Sequence, residues 1–220
     1  MQAVGPPPGA RVLEIGAGGG QLTWALVEAG YEVTALEPDA AMRERGAARV
    51  PAARFVASTF EDHQTTGPFA AIFSSNAFHW VEPDIGFQKA AALGDELVLI
   101  WNTPFLGNAE LQRRVQDDVL GPHGSTFPSD ETGVRALVAG EIQANIDRFR
   151  ESGRFGEPRT HVHERVLHYT PERYRDMVGS FGKIASSPER AAILAELEPV
   201  LGDDLLDVID IVWVIAASAA

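Results

Sequence analysis

Cysteine is absent from the 220 residues, which removes disulfides, thiolate zinc sites and a cysteine nucleophile together. Basic residues are scarce, with 18 lysines and arginines against 31 aspartates and glutamates and a formal charge of −13. Such a field opposes association with phosphate backbones and anionic lipid. Neither nucleic acid nor a membrane is therefore an expected partner. No apolar run is long enough to cross a bilayer, because LLDVIDIVWVIAASAA is short and broken by Asp207 and Asp210. It reads as a buried strand. The opening MQAVGPPPGARV lacks a basic segment followed by an apolar one, so no export signal is read there and a cytoplasmic location is expected.

With 45% of its residues apolar, the chain can bury one full core. The runs RVLEI (11–15) and YEVTAL (31–36) are rich in β-formers, and Leu22, Ala25, Leu26 and Ala29 recur between them at helical spacing. Asp39 is placed to cap a helix reaching about Ala48. A strand near 53–57, an apolar run from Phe69 to Phe73, a helix opened by Pro83 and Asp84 and ending at Leu93, and the strand ELVLIW (96–101) continue the alternation. Strands and helices alternating at these intervals predict an α/β fold with a doubly wound, mostly parallel sheet covered on both faces. Past Trp101 the rhythm changes to helices over roughly 108–119 and 130–151, then the strand THVHERVLHY, helices near 171–179 and 188–201, and a last strand. We read one domain over 1–220, with a core over 1–104, a helical cap insertion over 105–158 and a part over 159–220 that completes the sheet.

The stretch RVLEIGAGGGQLT holds four glycines within five positions, just after the first strand. A dinucleotide fingerprint has its third glycine five positions after the first, but Gly16, Gly18 and Gly20 give GxGxG, and Gln21 occupies the fifth position. No Lys followed by Ser or Thr comes after it, as a P-loop requires. Glu14 just upstream suits a ligand with an amino acid end, since an ammonium favours a nearby carboxylate. Seventeen residues past Gly20, Glu37 in ALEPD ends the second strand. A carboxylate there can accept hydrogen bonds from the two vicinal hydroxyls of a ribose. Together these point to an adenosyl compound.

Through VLEIGAGGGQLT, ALEPD, ASTFED and SSNAFHWVEPD, in this order, the chain resembles the class I S-adenosylmethionine-dependent methyltransferases. The resemblance is clear over residues 11 to about 101 and looser beyond. It implies S-adenosylmethionine as cofactor, a seven-stranded Rossmann-like sheet and methyl transfer to a small-molecule acceptor. It further implies that Gly16, Ala17, Gly18 and Gly20 line the methionine and adenosine, that Glu37 holds the ribose, and that Pro38 and Met42 flank the adenine. Thr59, Phe60 and Glu61 would close around the base, while Ser75, Asn76, Phe78, His79 and Trp80 would face the sulfonium and acceptor. Gly19 stands where many relatives have Thr, and LGDEL replaces the usual Pro-Gly-Gly turn before the fifth strand.

His79 is the best-placed base for an acceptor that must lose a proton, and Trp80 a wall for the sulfonium by cation–π contact. Packing and capping are the alternative roles of both. Tyr169 and Tyr174 follow the sixth strand, where they would either donate to substrate or pack the C-terminal helices. Seven arginines between 148 and 175 could clamp an anionic acceptor or simply be solvated. His161 and His163 share a strand face without an evident third ligand, so no metal is expected. An alternative with the same fold is a non-catalytic module that binds the cofactor or a partner.

Overall fold

A computed structural model describes residues 5–65 and 67–220; the first four residues, within the stretch read as lacking an export signal, lie outside it. Its strands form one seven-stranded sheet in the order Arg54–Val56, Glu32–Leu36, Arg11–Ile15, Ala71–Ser75, Glu96–Leu106, Leu206–Ser218, Arg159–Tyr169, which in chain numbering is β3-β2-β1-β4-β5-β7-β6. The α/β class and the mostly parallel, doubly wound sheet expected from the alternation are observed. β1 (Arg11–Ile15) lies inside the sheet, parallel to β2 (Glu32–Leu36) and to β4 (Ala71–Ser75). β3 (Arg54–Val56) pairs with β2 and β5 (Glu96–Leu106) with β4, both parallel. The order therefore reverses between β1 and β4, and an open α/β sheet binds ligands beyond the carboxyl ends of its strands at such a reversal.

The local chemistry explains the elements between the strands. α1 (Gln21–Glu28) starts directly from the glycine loop. α2 (Ala40–Arg49) is capped by Asp39, whose Oδ1 accepts from Met42 N at 2.8 Å, as the sequence predicts. α3 (Pro83–Leu93) has its proline in the first turn, where no hydrogen bond is lost.

The contacts divide the chain into two compact units: Met1–Trp101 with Ile142–His161 and Trp213–Ala220, and Asn102–Glu141 with Val162–Val212. In the first, Val12, Val33, Ala35, Phe73 and Val98 pack under Leu26 of α1. Phe87 and Phe155 meet Phe149 edge-on, at 5.1 and 5.4 Å between ring centres. The segment expected as a cap over 105–158 is divided, because α5 (Glu131–Ser152) begins in the second unit and ends in the first.

The second unit is built on a core of Leu106, Val119, Val178, Ile193, Leu197 and Val208. It contains α4 (Ala109–Arg113), which passes into a π-helical stretch over Arg114–Leu120, where a single helix was expected. Also in it are α6 (Pro171–Gly179), α7 (Gly182–Ala185), α8 (Arg190–Leu201) and most of β6 (Arg159–Tyr169) and β7 (Leu206–Ser218).

β5 runs five residues past the predicted end. Gly107 N donates to Asp207 O at 2.8 Å, whereas Leu106 N points the other way, to Oε1 of Gln112 at 3.0 Å. By the two-residue period, Pro104 lies on the same side as Leu106, beyond Ile100, where the β4 register stops. Its missing N–H costs no ladder bond, so a proline is tolerated inside a strand.

In the second unit both ring nitrogens of His123 meet carboxylates, Glu189 at 3.1 Å and Glu196 at 3.0 Å. These hydrogen bonds raise the imidazole's pKa above its ordinary 6.5. A raised folded value means a contribution present below pH 6.5 that is lost as pH rises through the folded value. Thermal melts should therefore find His123→Gln less stable than wild type at pH 6, with the gap closing above pH 8. An equal gap at both values would mean that the charge does not matter.

Candidate cofactor site

The carboxyl ends of β1, β2 and β4 converge around the glycine loop. Gly16, Gly18 and Gly20 all have positive φ, at 67°, 54° and 80°. Ala17 N donates to Leu36 O at 2.9 Å, which ties the loop to the end of β2. The next residue on β2's side is Glu37, buried to 8% exposure. Its Oε2 accepts from Gly18 N at 2.7 Å and its Oε1 from Asp39 N at 2.9 Å. A carboxylate held at both oxygens by main-chain donors has a fixed plane and still offers about two further lone pairs.

Glu14 lies on β1, buried on both faces, and is 1% exposed. Its Oε2 accepts from the Thr23 hydroxyl at 2.6 Å, so the carboxylate is turned into the first turn of α1 rather than toward open space. Burial raises its pKa from 4.5 to about 7, against hydrogen bonds from the side chain and backbone of Thr23 that lower it. Because the folded value is raised, the contribution is complete below pH 4.5 and is lost as pH rises through about 7. A rise of that size corresponds to about 3 kcal/mol. Urea unfolding should show the stability of wild type relative to Glu14→Gln falling by that order between pH 4.5 and 8; a constant difference would rule out the titration.

Pro38 and Met42 are exposed next to Glu37. After β3, the Thr59 hydroxyl donates to Asp62 Oδ2 at 3.0 Å, and Glu61 Oε1 accepts from Glu82 N at 3.0 Å. The Phe60 ring is buried, with Lys89 Nζ 5.3 Å from its centre. Lys89 also donates to the carbonyls of Glu61 and His63, at 2.9 and 2.7 Å. Sequence reasoning missed Lys89 and Thr23. A lone lysine inside a helix carries no motif, and Thr23 announces itself only through the burial of Glu14.

Ser75 ends β4 half-buried, and Asn76 follows at φ 51° with its N–H donating to Ile100 O at 2.9 Å. The chain then makes a 3-10 turn over Phe78–Trp80. Of the three side chains expected on the acceptor side, Phe78 turns inward and packs edge-on against Phe87, with centres 5.2 Å apart. An apolar ring beside that core is buried with it. His79 and Trp80 are exposed, Trp80 to 76%, with their rings 4.9 Å apart.

In the second unit, Tyr174 lies in the hydrophobic core, and burial raises its pKa. Tyr169 is half-buried beneath the Arg173 guanidinium at 4.2 Å, so both tyrosines pack. Most of the arginine-rich stretch is engaged: Arg165 with Asp210 at 2.8 Å and Arg175 with Glu198 at 3.1 Å, Arg150 with Glu157 at 2.5 Å and Arg159 with Glu96.

Residues 12–93 match the family described as a methyltransferase domain. An uncharacterized methyltransferase of Mycobacterium tuberculosis is 34% identical over 102 residues, 44% of this chain and 42% of that protein. One from Bacillus licheniformis is 46% identical over 74 residues, 32% of this chain and 34% of that protein. The chain thus spans less than half the length of these curated relatives. Among solved structures, a candidate type II methyltransferase of Anaeromyxobacter dehalogenans superposes at a TM-score of 0.69, with 16% identity over 98% of this chain and 92% of that one. Phosphoethanolamine N-methyltransferase 2 of Haemonchus contortus, solved with phosphomonomethylethanolamine and S-adenosylhomocysteine, has a TM-score of 0.50 and 16% identity, covering 97% of this chain and 49% of that one. These two likenesses speak for the fold, and the sequence matches for the motifs on it. Residues 12–93 are thus similar to methyltransferase domains, and the chain has the fold of the solved methyltransferases on which it superposes.

Proposed function

We propose that this chain binds S-adenosylmethionine over the glycine loop and transfers its methyl group to a small-molecule acceptor. The observation that carries the reading is Glu37, held by Gly18 N and Asp39 N at the carboxyl end of β2. With its plane fixed before any ligand arrives, the carboxylate accepts the two ribose hydroxyls with little reorganisation. Gly16, Ala17, Gly18 and Gly20 let the backbone approach the methionine end. Pro38 and Met42 flank the adenine, and the loop carrying Thr59, Phe60 and Glu61 borders it. Glu14 acts from beneath, by holding the first turn of α1 through Thr23.

Bound S-adenosylmethionine supplies a methyl group already activated by positive sulfur. The protein's task is alignment and exclusion of water around an in-line displacement. Ser75 and Asn76, at the end of β4, border the reacting centre, and Trp80 offers a ring face to the cation. His79 accepts the proton where the acceptor must lose one, whereas a carboxylate acceptor needs no base.

The acceptor class is supported by two observations. The net charge disfavours polyanionic partners. Fold relatives solved with small molecules include the Haemonchus enzyme and a geranyl diphosphate C-methyltransferase of Streptomyces coelicolor bound to geranyl diphosphate. Among the described residues, no helix is long and apolar enough to cross a membrane. The test is turnover: S-adenosylhomocysteine release measured over a panel of carboxylic acids, phenols and amines. Formation with one of these classes is expected. Cofactor binding with no turnover across the panel would favour the non-catalytic module.

A further inference from the structure

Of the chain's 18 basic residues, Lys89 and Lys183 are the only lysines, the rest being arginines. Lys89 forms none of the ion pairs found among the described residues, although the loop beside it carries Glu61 and Asp62. Its ammonium is directed instead at the main chain, donating to the carbonyls of Glu61 at 2.9 Å and His63 at 2.7 Å, with the Phe60 ring 5.3 Å away. Three groups within four residues of one loop converge on one head. A compact ammonium with three rotatable donors suits that convergence, and a planar guanidinium does not.

Bonds to carbonyls fix backbone rather than side chains. Most other hydrogen bonds of the loop are local, such as Ser58 Oγ to Thr59 O and Asp62 N to Thr59 Oγ1. From outside, α3 and the residue before it supply two attachments, Lys89 and the Glu82 N–H on Glu61. We infer that Lys89 is a positioning residue, which sets the loop over residues 58–63 against the adenine and thereby confers selectivity for the base. This rests on the reading of the glycine loop as an adenosyl-cofactor site.

Calorimetric titration of the full chain with S-adenosylhomocysteine and with its 6-oxo analogue, S-inosylhomocysteine, tests it. Wild type should prefer the adenosyl compound. Lys89→Met should bind it about tenfold or more weakly, the size of a lost charged hydrogen bond, and the preference between the two ligands should shrink toward one. Lys89→Arg keeps the charge but not the head-group geometry, so it should restore less than half of the preference in free-energy terms. Equal weakening of both ligands would mean a merely structural lysine and would overturn the inference, as would an unchanged affinity. Should Lys89→Met fail to fold, the preference measured in Lys89→Arg decides alone: retention of the wild-type value overturns the inference. Failure of wild type to bind either ligand would overturn the cofactor site itself, a distinguishable outcome.

Discussion

Glu37→Ala should weaken S-adenosylhomocysteine binding by about a hundredfold or more, because two hydrogen bonds from ribose hydroxyls to a carboxylate are lost at once. The substitution also strips the acceptors of Gly18 N and Asp39 N, now bonded at 2.7 and 2.9 Å, so the glycine loop loses its tie to the start of α2. Glu37→Gln separates the two effects. Its amide oxygen can accept from one main-chain N–H, but its NH2 group faces the other as donor against donor. Titration calorimetry should therefore rank the affinities wild type, Glu37→Gln, Glu37→Ala. A Glu37→Ala protein with wild-type affinity would remove Glu37 from the site.

Gly16→Ala should lower stability by about 3–5 kcal/mol, whereas Gly18→Ala should cost only about 1 kcal/mol and act mainly on binding. Both glycines have positive φ, at 67° and 54°, so each alanine bears the left-handed backbone cost. Their surroundings differ. A Cβ at Gly16 would sit 2.4 Å from the Cβ of Ala77, while one at Gly18 meets no atom within 4 Å. The first site is closed by the protein, and the second is open to whatever approaches the loop. For a chain of this length, the Gly16 variant should melt about 10 °C lower. Gly18→Ala should keep most of its melting temperature and lose affinity for S-adenosylhomocysteine, by putting a methyl group where the ligand lies. Equal melting losses in the two variants would contradict this division.

The features legible in the sequence are those set by short-range chemistry. The glycine spacing, the Asp39 cap, the proline opening α3 and the apolar strands each follow from a few neighbouring residues. Glu37 was legible because it ends a strand and precedes a proline. Less legible were features that depend on what lies across the sheet. The strand read over 96–101 continues through Pro104, and only the end of the β4 register explains how. Phe78, His79 and Trp80 are consecutive, yet a single turn sends Phe78 to Phe87 and leaves Trp80 exposed. Glu14 looks like a ligand contact by position, and its bond from the Thr23 hydroxyl is visible only once α1 is placed beside β1. Tyr174 falls in a helix whose inward face is known only once α8 is placed against it. Lys89 joins two segments more than 20 residues apart, and no local pattern marks it.

Titration of the wild-type chain with S-adenosylhomocysteine, with NAD+ as comparator, decides whether the glycine loop and Glu37 form an adenosyl-cofactor site. A single saturable site for S-adenosylhomocysteine, lost in Glu37→Ala, is expected, with no heat of binding from NAD+. Saturable NAD+ binding, or no binding of S-adenosylhomocysteine at millimolar concentration, would contradict it.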